Sequence, residues 1–207
     1  ALTRDLEDEI QRSSDRGVAA GKAARYYELI RERKRAEVVR EYPSISKEAL
    51  SPAEAAMFRD VEQQFRQELS LEAYQKGLAL VAAKKPEDAV KRFEQAIELH
   101  PSGPHIPKTK LSLALVLRKE KRPAEALVQA EQVAKQTTDA SVQPDGWFLV
   151  AQCARDLDDL DTERTALKTL INKYPRSALA REARPFLRAV TREAYLGKQD
   201  AGEATSE

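Results

Sequence analysis

The stretch AYQKGLALVAAKKPEDAVKRFEQAIELHP, from Ala73 to Pro101, predicts two helices separated by a short break. Apolar residues recur at helical intervals on both sides of Pro86, and proline is favoured in the first turn of a helix. Gly77 lies inside the first predicted helix, where glycine costs roughly 1 kcal/mol relative to alanine. We therefore interpret Gly77 as the place where the first helix packs closely on the second.

The pattern of this stretch recurs twice more along the chain, with a period of 37 residues. The shift keeps three sets of residues in step: Gly77, Ala114 and Ala151; Phe93, Ala130 and Leu167; Pro86, Pro123 and Leu160. A fixed period of this length is typical of a solenoid, in which each repeat buries its apolar face against its neighbours. The expected fold class is all-α, an α-solenoid of about three helical hairpins.

These residues resemble the tetratricopeptide repeat (TPR). The first copy carries the small, large and terminal proline positions of that family: Gly77, Leu80, Ala89, Phe93, Ala96 and Pro101. The third copy has the signature tryptophan, Trp147, but Glu163 stands where the family has alanine. The resemblance implies antiparallel helical hairpins over about residues 70–104, 107–141 and 144–177.

A narrower resemblance lies in NKYPRSALAREARPFLRAV, where a repeat ends at Tyr174-Pro175 and Ser177 caps a further helix. This segment is similar to bacterial envelope TPR proteins, such as the periplasmic partner of the Tol-Pal system and the lipoprotein subunit of the outer-membrane β-barrel assembly machine. The helix over 178–195 is expected to cover the last hairpin, with a kink or a late start at Pro185. Residues 196–207 contain almost no large apolar side chains and are expected to be disordered.

Residues 1–69 are expected to form a charged helical arm outside the repeats. Three helices are predicted there: one over LTRDLEDEIQRSS, one whose apolar stripe runs from Tyr26 to Val39 and ends near Tyr42-Pro43, and one that starts at Ser51-Pro52. The arm is interpreted as ordinary helices packed on the end of the solenoid, with a degenerate repeat or a coiled coil as the alternatives.

The charge of the chain is high but balanced, with 35 basic and 34 acidic side chains. Because no basic excess is available to neutralise a phosphate backbone, nucleic acid is not an expected partner. No apolar run approaches the ~20 residues of a membrane span, so any membrane association is expected to be peripheral, through a complex. The start at Ala1 without methionine is compatible with a removed signal peptide. The expected localisation is periplasmic or outer-membrane-associated, with the cytoplasm as the alternative.

No group of residues predicts catalysis, a metal site or a cofactor. The stretch GVAAGKAA, which begins at Gly17, has three residues between its glycines where a phosphate-binding loop has four, and Ala23 follows the lysine in place of Ser or Thr. Nucleotide is therefore not an expected partner, and close helix packing is the preferred interpretation of Gly17 and Gly21. His100 and His105 lack a third zinc ligand and are interpreted as solvated loop residues.

Two further candidates have structural interpretations. Cys153, the single cysteine, is predicted to be a small buried hydrophobe rather than a nucleophile, because neither histidine is near it in the sequence. The basic cluster of Arg31, Arg33, Lys34 and Arg35 is predicted to be a solvated helix face, because acidic residues at helical spacing interleave with it: Glu32, Glu37 and Glu41.

The remaining candidate is a surface that binds another protein. By repeat position, the first helices expose one row of residues on the concave side of the solenoid: Tyr74, Leu78, Val81, Leu111, Leu115, Arg118, Phe148, Gln152 and Arg155. The apolar floor and basic end of this row suggest an amphipathic or acidic partner segment. In the alternative, the chain's own N-terminal helices fill the groove.

The expected function is a non-catalytic scaffold or adaptor in a bacterial envelope complex, which binds a peptide or helix of a partner protein in the concave groove. A cytoplasmic TPR adaptor or co-chaperone is the alternative within binding proteins. A helical-repeat RNA-binding protein is the alternative of a different class.

Overall fold

The computed structural model describes residue 17 and residues 20–45, 50–137 and 139–204. The chain divides into two compact units, Ala1–Glu72 and Ala73–Glu207. The boundary between them lies inside a continuous helix, three residues after the predicted end of the arm at residue 69. The helix predicted over LTRDLEDEIQRSS falls outside the described residues.

The described residues are helical or lie in turns, and they contain no strand, which confirms the all-α prediction. The helices are α1 (residues 20–31), α2 (Arg35–Glu41), α3 (Pro52–Ala82), α4 (Pro86–Leu99), α5 (Ile106–Lys119), α6 (Pro123–Gln136), α7 (Gln143–Asp156), α8 (Leu160–Lys173) and α9 (Ala178–Ala204), with a 3₁₀ turn at Tyr42–Ser44.

The second unit contains the three predicted hairpins: the end of α3 with α4, α5 with α6, and α7 with α8. Consecutive helices pack on one another from α4 to α9, and the first helices also contact each other, α5 with α7 and α7 with α9. One continuous apolar core runs through this unit, with Phe93, Leu113 and Leu167 among its buried members. The arrangement is a TPR-like α-solenoid.

The same turn joins the two helices of every hairpin. Lys84, Lys121 and Asp158 have φ of 56°, 60° and 59°, and each lies 37 residues from the next. The N–H of the following residue donates to a carbonyl five residues earlier, as from Lys85 to Leu80 at 2.9 Å. This left-handed turn satisfies the last carbonyls of the first helix and reverses the chain. The second helices then begin at the predicted residues Pro86, Pro123 and Leu160.

Gly77 lies against the ring of Phe93, as the sequence predicts. A Cβ atom at position 77 would lie 2.5 Å from Cε1 and 2.7 Å from Cδ1 of Phe93, closer than non-bonded carbon atoms can approach. Phe93 is fully buried. Glycine at this position is therefore required by the close contact of α3 with α4.

The last helix, α9, packs on α7 and α8. Ser177 Oγ accepts a hydrogen bond from the N–H of Leu179 at 3.2 Å, so the predicted cap is present. The helix begins at Ala178 and includes Pro185, so the late start predicted at Pro185 is wrong. A proline inside a helix removes the hydrogen bond to the carbonyl four residues earlier, here that of Arg181, and its ring crowds that carbonyl, so a kink at Pro185 stays a prediction.

The helix also includes residues 196–204, which belong to the segment 196–207 predicted to be disordered. That disorder stays a prediction, and Gly197 and Gly202 lower the helix propensity of the segment.

In the first unit, the single helix predicted between Tyr26 and Tyr42 is broken into α1 and α2. Arg33 has a φ of 53°, and the N–H of Lys34 donates to the carbonyl of Leu29 at 3.0 Å, which reproduces the turn of the repeats. The break lets both short helices bury apolar side chains with those of α3, in a cluster formed by Tyr26, Leu29, Val38, Phe58 and Phe65. This shortened hairpin favours the degenerate-repeat interpretation of residues 20–45.

We predict that Gly77→Ala lowers the free energy of unfolding by about 1 to 3 kcal/mol, because overpacking against Phe93 exceeds the gain in helix propensity. The matched control is Gly21→Ala, since Gly21 is exposed on α1 and a Cβ there meets no described atom within 4 Å. The control should be neutral or stabilising by up to ~1 kcal/mol. Urea unfolding followed by circular dichroism measures both, and equal effects would contradict the contact.

We also predict different effects from two truncations of α9. Removal of residues 178–207 uncovers the apolar faces of α7 and α8, because it takes away the buried Ala180, Ala183 and Val190, and it should lower the melting temperature. Removal of residues 197–207 should leave the melting temperature unchanged. Superimposable melting curves for the two shortened chains would argue against the covering role of α9.

Candidate partner-binding site

The residues of the predicted groove all lie on the first helices of the three hairpins, α3, α5 and α7. Leu78, Val81 and Leu115 expose 42%, 37% and 42% of their surface. The others are partly exposed: Tyr74, Leu111, Arg118, Phe148, Gln152 and Arg155. Their membership of one binding surface stays a prediction.

Four residues of this row line one cavity of about 370 Å³: Arg118, Phe148, Gln152 and Arg155. The rest of its lining comes from α7, α8 and α9: Ala151, Glu163, Leu167, Phe186 and Glu193. The structure thus joins the last four residues of the predicted row to residues outside that row. Tyr74, Leu78, Val81, Leu111 and Leu115 do not line this cavity.

The cavity has an aromatic wall. The ring centroids of Phe148, on α7, and Phe186, on α9, are 6.3 Å apart, with the ring planes tilted by 56°. Separations of this kind are typical of favourable aromatic pairs. Phe148 is half-buried, whereas Phe186 exposes 48% of its surface. Two phenyl rings are therefore available to a molecule that enters the cavity.

Arg118 of α5 is fixed by residues of α7. Its Nε donates to Oδ2 of Asp156 at 2.6 Å, and its Nη1 donates to Oε1 of Gln152 at 3.0 Å. Both partners lie one repeat further along the chain. The guanidinium therefore links two neighbouring hairpins and is already neutralised.

Arg155 occupies the equivalent position of the next repeat and has two carboxylate partners. Its Nε lies 2.7 Å from Oε2 of Glu163, on α8, and its Nη1 donates to Oε2 of Glu193, on α9, at 2.6 Å. The hydrogen bond to Glu193 raises the pKa of Arg155.

The end of the row is consequently not basic, and that expectation is wrong. Two guanidiniums, of Arg118 and Arg155, meet three carboxylates, of Asp156, Glu163 and Glu193. The three acidic residues lie outside the predicted row, so their charges were missed. A signal existed: each arginine is followed by an acid 38 residues later in the sequence.

Glu163 is the buried polar residue of the cavity, with 3% of its surface exposed. It stands at the position where the TPR pattern has alanine. Burial raises the pKa of its carboxyl group above the ordinary value, because water no longer solvates the charge; the nearby guanidinium of Arg155 opposes this rise. The departure from the repeat pattern therefore marks a functional candidate.

Two other predicted sites behave differently. Cys153 is fully buried, which confirms the prediction, and burial raises the pKa of its thiol to about 11. His105 is not simply solvated: its ring lies 6.1 Å from that of Tyr74, and burial lowers its pKa. Within the described part of the chain, no three His, Cys, Asp or Glu side chains are placed to hold a metal ion.

The close-packing interpretation of Gly17 and Gly21 is wrong. Both glycines are exposed, and a Cβ at either would meet no atom of the described residues within 4 Å. The predicted compensation of the basic cluster is confirmed in part, because its side chains do pair with carboxylates. The partners are Glu28 for Arg31, Glu32 for Lys34, Glu68 for Arg33, and Glu68 and Glu72 for Arg35, in place of Glu37 and Glu41.

The raised pKa of Glu163 predicts a pH dependence. A carboxyl group that binds protons more tightly in the folded chain contributes stability that is present below its ordinary pKa of 4.5 and lost as the pH rises through the raised pKa. Between pH 4 and 7 the native protein should therefore lose stability relative to Glu163→Gln. Chemical unfolding across this range measures the difference.

The matched control is Glu182→Gln, at an exposed position of α9. It repeats the same change of side chain at a position where the carboxylate is not buried. The opposite slope for Glu163→Gln would show that the attraction of Arg155 outweighs burial.

The fold has clear relatives among solved structures. The Arabidopsis OM64 TPR domain is 15% identical, over 60% of this chain and 98% of that chain, with a TM-score of 0.51. PcrH from Pseudomonas aeruginosa is 25% identical, over 60% of this chain and 93% of that chain, with a TM-score of 0.51. PcrH in complex with the chaperone binding region of PopD is also 25% identical, over 59% of this chain and 91% of that chain, with a TM-score of 0.51. No curated protein matches the sequence.

A family model supplies the closer identification. The model described as YfiO, outer membrane lipoprotein, matches residues 66–194, which include the three hairpins and most of α9. None of the described helices is both long and apolar enough to cross a membrane. Because the match covers more than half of the sequence, the chain belongs to the family described as YfiO, outer membrane lipoprotein.

Proposed function

We propose that the protein is a non-catalytic adaptor of a bacterial envelope complex, which binds a peptide or helix of a partner protein along the first helices of its repeats. The observation that carries this proposal is the cavity with the rings of Phe148 and Phe186 on its wall. Concave sites lined by aromatic side chains, with a few placed polar groups, are typical binding sites. Aromatic anchors also dominate the free energy of many protein interfaces.

The predicted row extends the site away from the cavity. Leu78, Val81 and Leu115 expose large apolar surfaces on α3 and α5, although most other large apolar side chains of the repeats are buried or partly buried. Exposed apolar residues on the first helices of a solenoid suit the apolar face of an amphipathic helix. The proposed partner segment therefore crosses several repeats and ends in the cavity.

The family membership supports the envelope location. The YfiO family is described as an outer membrane lipoprotein family, and the proposed place of this chain is the periplasmic side of the outer membrane, as part of a complex. The likeness to PcrH, solved with a region of PopD, supports peptide binding by this kind of fold. It also favours the alternative, a cytoplasmic adaptor or co-chaperone. Fractionation of the native cells, with immunodetection of the protein, distinguishes the two locations.

RNA binding has less support as a function. Several cationic side chains are engaged with carboxylates, among them Arg31, Arg35, Arg118 and Arg155, and the chain has 35 basic side chains against 34 acidic ones. A nucleic-acid site requires such groups to be available to the phosphates.

The test of the proposed function is the double variant Tyr74→Ala with Phe148→Ala. It should remain folded, since both rings are only partly buried. It should bind the partner at least ~30-fold more weakly, because the loss of an aromatic anchor often costs ~2 kcal/mol or more. In affinity capture from native cells, the partner is a protein that the native chain retains and the double variant does not. A titration with that purified partner then measures the change in affinity.

Val128→Ala is the matched control, because Val128 exposes 53% of its surface on α6, a second helix of a hairpin. The control should bind like the native protein. Full binding by the double variant would exclude the cavity as the partner site. Unfolding of the double variant would place the two rings in the core, and the basic cluster on α1 and α2 would become the next candidate surface.

A further inference from the structure

The cavity between α5, α7, α8 and α9 combines an apolar wall with charged side chains of both signs, the guanidiniums of Arg118 and Arg155 and two carboxylates. Phe148, Phe186 and Leu167 contribute apolar surface, and Glu163 and Glu193 contribute carboxylates at the same cavity. Its volume of about 370 Å³ corresponds to roughly a dozen water molecules at ~30 Å³ each. A long side chain fits in this space.

The carboxylate of Glu163 is the decisive group. Its Oε2 atom is buried and lies 2.7 Å from Nε of Arg155, yet it accepts no hydrogen bond of good geometry from any residue that the structure describes. The side chain is 97% buried, since 3% of its surface is exposed. A buried carboxylate oxygen without a donor costs free energy, and a donor from a ligand removes that cost.

Arg155 does not compensate the whole negative charge of this site. Its single positive charge is shared between Glu163 and Glu193, and the other guanidinium, of Arg118, is committed to Asp156 through two hydrogen bonds of 2.6 and 3.3 Å. The excess of one negative charge therefore lies on the side of Glu163 and Glu193.

We propose that this cavity binds a basic side chain, lysine or arginine, of the partner segment. The inference rests on the proposed function, and it names the chemistry that the site selects. The aliphatic stem lies along Phe148 and Phe186, and the cationic head is placed toward Glu163 and Glu193. Lysine and arginine bury their methylene groups against apolar surface while the charged head stays at a polar site, and a cation is also attracted to the face of an aromatic ring.

Charge complementarity excludes the other two classes of side chain. An acidic side chain would approach the carboxylates of Glu163 and Glu193, and it could reach a guanidinium only by competing with an existing ion pair. A purely apolar side chain would close the cavity over Glu163 and leave its carboxylate further from water with no added donor. Only a cation both fills the apolar space and satisfies the charge.

The test selects short random peptides displayed on phage against the immobilised full chain. Selected peptides should carry lysine or arginine beside apolar residues. When such a peptide is synthesised, replacement of its basic residue by norleucine should weaken binding to the native protein by at least about tenfold. The same replacement should change binding to Glu163→Gln and to Glu193→Gln by less than about threefold.

Glu182→Gln is the matched control on α9 and should discriminate between the two peptides as the native protein does. Glu193 is about half exposed, so Glu193→Gln tests the site without disturbing the core. That variant decides the result alone if Glu163→Gln fails to fold, as judged by circular dichroism.

Three results would overturn the inference. If the selected peptides depend on Phe148 for binding but are acidic, or show no preference in charge, the basic anchor is refuted and the proposed function stands. A preference for basic peptides that survives in both glutamine variants would place their site elsewhere. A selection that yields no peptide dependent on Phe148 would count against both the inference and the proposed groove.

Discussion

The contact between Gly77 and the ring of Phe93 fixes the distance between the two helices of the first hairpin. Any side chain at position 77 would collide with the ring, so the helices approach until their surfaces meet, and the core of the second unit is built at that spacing. The next repeats keep a small residue in the matching place, with Ala114 and Ala151 both buried. A similar contact joins successive hairpins, where a Cβ on Gly146 would lie 2.8 Å from the backbone nitrogen of Ala134. Small residues at helix crossings therefore set the packing both within and between repeats.

Most of the repeat architecture could be predicted because it follows from local chemistry. Proline in the first turn marks Pro86 and Pro123 as helix starts, and Asp159 supplies the corresponding signal in the third repeat, where its carboxylate accepts the N–H of Thr162 at 3.0 Å. The break at Arg33 could not be predicted in this way, because a left-handed arginine has no distinctive local signal. It exists because Tyr26 and Val38 are buried together with Phe58, a contact between residues far apart in the sequence.

Less of the candidate site than of the repeat architecture could be predicted from the sequence. Repeat position alone places Phe148, Gln152 and Arg155 on the exposed side of α7, and the structure finds all three at one cavity. The partners of Arg155 come from α8 and α9, and a pattern read along one helix face does not reveal them. Glu163 was visible only as a departure from the alanine of the TPR pattern. A charged residue at a position reserved for a small one is costly unless a partner exists, so such a departure points to a buried ion pair.

The ion pairs between neighbouring first helices give the row a direction. Arg118 reaches to Asp156, and Arg155 reaches to Glu193, each 38 residues later in the chain. The equivalent position of the first repeat is Val81, which has no charge to offer, so the row is apolar at its beginning and charged at its end. A helix lying along such a row does not have the same free energy in its two orientations. Reversal of its chain direction would bring its apolar end to the carboxylates and its charged end to Leu78 and Val81. A partner segment bound along the row as proposed would therefore have one preferred chain direction, and this polarity would require no contact with the termini of the partner.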